Sequence, residues 1–191
     1  MAKVVSTQFV SIDGVNDDPG KWSMGYFDEA MTKFKQQELW DSEIQLLGRV
    51  TYEGFAAVWP TFSDPAGFAD RMNSMRKVVV STTLKDPAWN NTTVISSNVA
   101  DEIRRLKAAP GGDILIAGSN TLVRFLTEHD LIDEYRFAIH PIIVGAGKRI
   151  YDDATPKKGL KLADQSTTST GIILTTYVPA EIPTGPAPGE I

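Results

Sequence analysis

Short runs of β-branched and aliphatic residues alternate with segments of helical period up to about residue 130, and beyond it strand follows strand. Lys3 to Ile12, Ile44 to Leu47, Lys77 to Ser81, Thr93 to Ser96 and Ile114 to Ala117 read as strands. Tyr26 to Trp40, Val50 to Val58, Pro65 to Met75 and Val99 to Ala108 read as helices. So does Asn120 to Glu128, with Leu122, Phe125 and Leu126 close to one face. Tyr135 to Val144 is a long strand interrupted by Pro141, and Leu160 to Ser166 with Gly171 to Val178 can pair as a closing hairpin. Parallel strands need long crossovers, usually helical, whereas antiparallel strands need only a tight turn. The order therefore predicts an α/β fold: a mostly parallel central sheet, helices on both faces, and an antiparallel C-terminal edge hairpin. One domain spans residues 1–178, and a Pro-rich tail with Pro183, Pro186 and Pro188 spans 179–191.

Composition narrows the function. A chain of 191 residues, 42% hydrophobic, can bury one sizeable core. Its net charge of −5 and the lack of a Lys/Arg run argue against a nucleic-acid partner. The absence of cysteine excludes thiolate metal sites and a cysteine nucleophile. No apolar stretch approaches the roughly 18 to 20 residues that span a bilayer, and the N-terminus turns polar too soon for a signal peptide. The expectation is a cytoplasmic protein acting on a small molecule, with no membrane partner and no metal.

Ligands of open α/β sheets bind beyond the carboxyl ends of the strands. Three such ends carry small or hydroxyl residues: Gly48-Arg49-Val50-Thr51, Ser81-Thr82-Thr83 and Gly118-Ser119-Asn120-Thr121. Two of them open a helix, whose free N–H groups and dipole suit a phosphate. Arg49 can add a charged fork. Together they read as a site for a multi-phosphate ligand; singly, such a stretch is more often a plain turn and N-cap. Gly145-Ala146-Gly147-Lys148-Arg149-Ile150 half-matches a dinucleotide fingerprint, without its third small residue.

In order along the chain stand "STQFVSIDG", "LLGRVTYEGF", "KVVVST", "ILIAGSNTLVRFL", "LIDEYRFAIHPIIVGAGKRIYD" and "GIILTTYVP". As a set they resemble the dihydrofolate reductase-like superfamily, in particular the reductase domain of the bifunctional riboflavin-biosynthesis deaminase-reductase. The resemblance covers about residues 3 to 178 and implies a three-layer fold with NADPH as hydride donor. It implies that Gly48, Arg49, Val50, Thr51, Ser81 and Thr82 hold the pyrophosphate and the adenosine 2′-phosphate. Gly118, Ser119, Asn120, Thr121 and Leu122 then lie over the pyrophosphate and nicotinamide. Pro141 through Gly145, with Val144 and Gly145 nearest, border the nicotinamide side. A homodimer is also implied. The chain departs from dihydrofolate reductase in having Ala117-Gly118 for its Gly-Gly, and in the longer spacing from Trp22 to Asp28, without proline.

Hydride transfer to C=N or C=O needs a proton source. Asp28 or Glu29 is a candidate acid, or else a carboxylate favoured by a helix N-terminus. Asp13 can touch substrate, or serve only as the turn residue of Asp13-Gly14. Trp22, Tyr52 and Trp59 can line a pocket for a planar ring, or belong to the core. The expected function is an NADPH-dependent reductase of a small planar heterocycle, pteridine or pyrimidine in type. The alternative is an NADP-binding protein of the same fold without catalysis.

Overall fold

The computed structural model describes residues 1–151 and 155–185. Its eight strands form one sheet in the order β4-β3-β2-β5-β1-β6-β8-β7. They are β1 (Val4–Ser11), β2 (Ser42–Gly48), β3 (Arg76–Val80), β4 (Thr92–Ile95), β5 (Asp113–Ala117), β6 (Glu134–His140), β7 (Gly159–Thr167) and β8 (Ile173–Ala180). The first six run parallel, and β8 turns antiparallel to both β6 and β7. This is the expected α/β fold with its C-terminal hairpin.

Five helices cover the sheet: α1 (Glu29–Asp41), α2 (Arg49–Val58), α3 (Phe68–Ser74), α4 (Val99–Ala108) and α5 (Asn120–Glu128). Alternation along the strands decides which layer each residue joins. Val4, Leu46, Val78, Ile114 and Ile116 pack on Ile103 of α4 and on Leu122, Val123 and Leu126 of α5. Val5, Leu47, Val79 and Leu115 face the other way, onto Leu39 of α1, Tyr52 of α2 and Met72 of α3. Asp101 and Glu102 in the first turn of α4, with Arg105 and Lys107 in its last, complement its dipole.

Several boundaries differ from expectation, each for a local reason. The first helix begins at Glu29 rather than Tyr26, because Asp28 caps it by accepting the Met31 N–H at 2.9 Å. Met24–Tyr26 forms a separate 3₁₀ turn. The third helix begins at Phe68, where Asp64 accepts the Phe68 and Ala69 N–H groups at 3.1 and 2.8 Å. The sixth strand stops at His140, one residue before Pro141, so residues 141–144 lie outside the sheet. At the other end of the chain, Pro179 and Ala180 remain in β8, so the sheet runs two residues past the expected boundary at 178; residues 186–191 of the Pro-rich tail lie outside the described residues.

Lys77 is a charge where the pattern calls for an apolar residue. It is buried at the start of β3. Its Nζ donates to Asn73 O at 2.6 Å and lies 4.2 Å from the centre of the Trp89 ring, and burial pushes its pKa down to about 8. Below pH 8 native and unfolded chains both hold this proton, and the native state bears the full desolvation cost. From about 8 to the ordinary lysine value of 10.5, only the unfolded chain keeps it, so this group's contribution to stability rises with pH. Lys77→Met should stabilise the fold at pH 7 by about 1–3 kcal/mol. Denaturant unfolding of both proteins should show that advantage shrinking between pH 8 and 9.5.

Candidate functional site at the strand ends

Six parallel strands bring their carboxyl ends to one edge. There β2 ends in Gly48 and passes directly into α2, and β5 ends in Ala117 and passes through Gly118 and Ser119 into α5. The two turns touch. A Cβ on Gly48 would lie 2.3 Å from Ser119 Oγ and 2.7 Å from its Cβ, so only glycine allows this approach. Gly118 and Ser119 both take the left-handed region, with φ of 87° and 64°, which swings the chain up and over Thr51.

Between the turns lies a cleft of about 340 Å³, lined by Gly48, Arg49, Val50, Ser119, Thr121 and Leu122, with Val80, Val99 and Phe125 as its apolar wall. Neither α2 nor α5 has a side-chain cap. The N–H groups of Arg49, Val50 and Thr51, and of Asn120, Thr121 and Leu122, are therefore left for a ligand or water. Arg49 stands at the mouth, where its Nη1 forks onto both carboxylate oxygens of Glu53 at 2.9 Å. Ser81 Oγ accepts the Thr83 and Leu84 N–H groups at 3.1 and 2.9 Å, and Thr82 is exposed.

A second loop closes the edge beside β1. Asp13 Oδ1 accepts from Ser11 Oγ at 2.6 Å and Val144 N at 3.1 Å, and Oδ2 accepts from Gly145 N at 2.8 Å. Those bonds, the Ser11 hydroxyl first, hold its carboxyl down to a pKa of about 2. Asp13 is thus the clamp that fastens Val144 and Gly145 to the end of β1. Of the two roles the sequence leaves open for Asp13, substrate contact or turn residue, these bonds are those of a turn and loop clamp. Asn120 leaves its own helix and donates to Asn16 Oδ1 at 2.7 Å and Arg149 O at 3.0 Å. Asn16 in turn reaches Gln8 on β1 at 3.3 Å. The sequence reading missed Asn16 and Gln8; the available signal was the polar run Ser6-Thr7-Gln8 inside a strand whose neighbours Val4, Val5, Phe9 and Val10 are apolar.

On the opposite face of the edge, Asp28, the candidate acid, has both of its oxygens engaged. One oxygen caps α1, and the other accepts from Ser169 Oγ at 2.6 Å and Ser169 N at 2.8 Å, bonds that lower its pKa. Tyr52 and Trp59 are not at the cleft. Tyr52 is buried under α2 with its hydroxyl accepting the Trp89 N–H at 2.9 Å, and Trp59 packs on Phe55 and Phe62. Trp22 does reach the edge, where its ring meets that of His140 at 5.2 Å, with Tyr26 and Phe9 also against it. His140 Nδ1–H bonds Ala138 O at 2.9 Å, and burial lowers its pKa, so it rests neutral. No group of His, Asp and Glu able to hold a metal occurs among the described residues, and none of their helices is long and apolar enough to cross a membrane.

Residues 2–174 match the family described as the RibD C-terminal domain. The Bacillus subtilis protein YyaP is 30% identical over 135 residues, covering 69% of this chain and 71% of YyaP. A riboflavin biosynthesis protein of Shewanella superposes with a TM-score of 0.75 at 19% identity, over 95% of this chain and all of that one. A dihydrofolate reductase of Enterococcus faecalis, solved with NADP(H), superposes at 0.60 with 15% identity, over 94% of this chain and 97% of its own.

The contact between the two turns can be tested within this chain. Gly48→Ala should force them apart and lower stability by about 1–3 kcal/mol, because the obstructing atom includes a Cβ that no rotamer change removes. Ser119→Gly in the same chain deletes the obstruction and relieves a positive φ, and should restore most of the loss. Thermal unfolding of the two single variants and the double variant reads the coupling directly.

Proposed function

The chain belongs to the RibD C-terminal domain family, and from that membership and the strand-end cleft we propose an NADPH-dependent reductase of a small planar heterocycle, pteridine or pyrimidine in type. The observation that carries the reading is the pair of uncapped helix N-termini meeting across one cleft, with a glycine where a Cβ would intrude. Such a cradle fits a pyrophosphate: six N–H groups converge on it and the helix dipoles favour negative charge. Arg49, Val50 and Thr51 on one side and Ser119, Asn120, Thr121 and Leu122 on the other would hold that group. Gly118 would admit the nicotinamide toward Val144 and Gly145. When bound, NADPH supplies a hydride to one carbon of a polarised double bond. The chain's own part is to orient the two molecules and to exclude water.

A second reading, an NADP-binding protein without catalysis, draws on one fact: the Asp13 and Asp28 carboxylates are both engaged in holding loops. NADPH oxidation against a panel of pterins, flavins and quinones, with NADPH binding followed in parallel, separates the two. Binding with no turnover on any acceptor selects the second.

Preference for NADPH over NADH falls to Arg49, with Ser81 and Thr82 close to it in the strand-end row. A guanidinium on the 2′-phosphate is worth about 1.5–3 kcal/mol, roughly ten- to a hundredfold. Glu53 competes for Arg49, but a surface pair of this kind contributes only about 0.2–1 kcal/mol, so the phosphate should win. In titrations with both cofactors, Arg49→Ala should lose most of the preference, and Glu53→Gln should tighten NADPH severalfold. Equal affinities in the parent protein would remove the assignment.

The proposed assembly is a homodimer through the C-terminal hairpin. Strand β7 is the edge of the sheet, exposed along nearly its whole length, with its Leu160 and Leu162 at 38 and 42% exposure and Ile173 at the start of β8 at 40%. Light scattering at micromolar concentration should give a dimer, and Leu162→Glu should give a monomer; a monomeric parent sinks the proposal.

A further inference from the structure

With Asp13 and Asp28 both held ionised by loops, a reductase of this fold needs its proton from elsewhere, and a buried row of charges beneath α1 offers one. Glu38 lies on the inner face of α1, seven residues beyond buried Met31, and its side chain is 0% exposed. Its Oε2 accepts from Thr7 Oγ1 at 2.9 Å and from Lys35 Nζ at 2.5 Å. Its Oε1 has no hydrogen-bond partner, with Arg136 Nη1 at 3.8 Å. Lys35 Nζ also donates to Thr7 Oγ1 at 2.9 Å and lies 5.1 Å from the centre of the Phe9 ring. Through Arg136 and Glu134 the row continues to Lys3, so three cations face two carboxylates.

A buried carboxylate is tolerated only when paired, so Glu38 both requires the Lys35 ammonium and fixes where it stands. That place is informative. Thr7 pairs in register with Ala117, the residue before Gly118. Lys35 Nζ is therefore on the α1 side of the sheet, at the strand pair whose other side opens into the phosphate cleft. Its side chain keeps 15% of its exposure, so it is reachable. Two of its N–H bonds go to Glu38 and Thr7, which leaves the third without a protein acceptor among the described residues.

We propose that Lys35 is the proton donor of the substrate half of the site, with Glu38 and Thr7 as its positioning residues. The inference rests on the reductase reading. As the carbon of the substrate's C=N or C=O bond receives hydride, the π pair moves to the heteroatom. The heteroatom takes a proton from Lys35 Nζ, forming N–H or O–H as the Nζ–H bond breaks. Lys35 is left as a neutral amine and regains its proton from water. Before the reaction, the ammonium recognises the same heteroatom as a hydrogen-bond acceptor.

The test uses the full chain with saturating NADP⁺ and lumazine, a dioxopteridine, as the probe, its fluorescence reporting binding; NADPH affinity is measured separately. Lys35→Met is combined with Glu38→Gln, so that no buried charge is left unpaired. This pair variant should bind NADPH as the parent does and lumazine at least tenfold more weakly. Lys35→Arg keeps the charge but is a far poorer acid. It should retain lumazine binding while NADPH oxidation, on the best acceptor of the panel, falls at least a hundredfold. A pair variant with unchanged lumazine affinity, or a parent that binds NADPH and not lumazine, removes Lys35 from the substrate half. Full turnover by Lys35→Arg removes the proton transfer. A parent that binds no NADPH fails the reductase reading instead, a result distinct from any of these.

Discussion

Strand β5 is the piece on which the site depends, because it is hydrogen-bonded on both sides. Ile114 pairs with Val4 of β1 and with Ile44 of β2, so the fifth strand of the chain is wedged between the first two. The chain had gone outward from β2 to β3 and β4 before returning. That return is a switch in strand order, the place where an open sheet leaves a crevice. It sets the turn after Ala117 against the turn after Gly48, and two helix N-termini thereby share one space. The contact of Gly48 with Ser119 follows from the pairing and fixes how near the two helices begin.

The same wedge explains which features could be read from the chain and which could not. Strand-end turns are local: small residues after an aliphatic run, then helical period, mark Gly48-Arg49 and Gly118-Ser119 without knowledge of any partner. The sheet's composition was readable for the same reason, since alternation and β-branching are properties of each segment. The roles of carboxylates were not. Asp13 and Asp28 have the residue type of an acid, but their bonds run to Gly145 and Ser169, more than a hundred residues away in sequence. Likewise, Tyr52 lies two residues past Val50 of the cleft lining, yet a helix turns each successive side chain by about 100°, which sends it into the core.

Buried charge is used in two different ways. Lys77, near the amino end of β3, meets only a carbonyl and an aromatic face, so burial wins and its pKa falls. Lys35 meets a carboxylate and a hydroxyl, a pairing that compensates the charge where it stands. The sequence carries a signal for this second case. Met31, Lys35 and Glu38 recur at helical spacing on one face, and two ionisable residues on the face that buries Met31 must either pair or be expelled.

The two halves of the edge thus handle charge by opposite means. On the α5 side, the cleft has an apolar wall of Val80, Val99 and Phe125, and its polar character comes from the N-termini of α2 and α5 with Arg49 at the rim. Dipoles of that kind are fixed, cannot be titrated, and suit a ligand whose phosphates arrive already charged. On the α1 side, the charges are side chains, arranged so that one ammonium is held by a buried carboxylate but retains a free bond. Fixed dipoles can bind, but they cannot give up a proton. In the proposed reductase a site that must do both would need one half of each kind, and the β1–β5 pair, with Gly118 following β5, stands between the two.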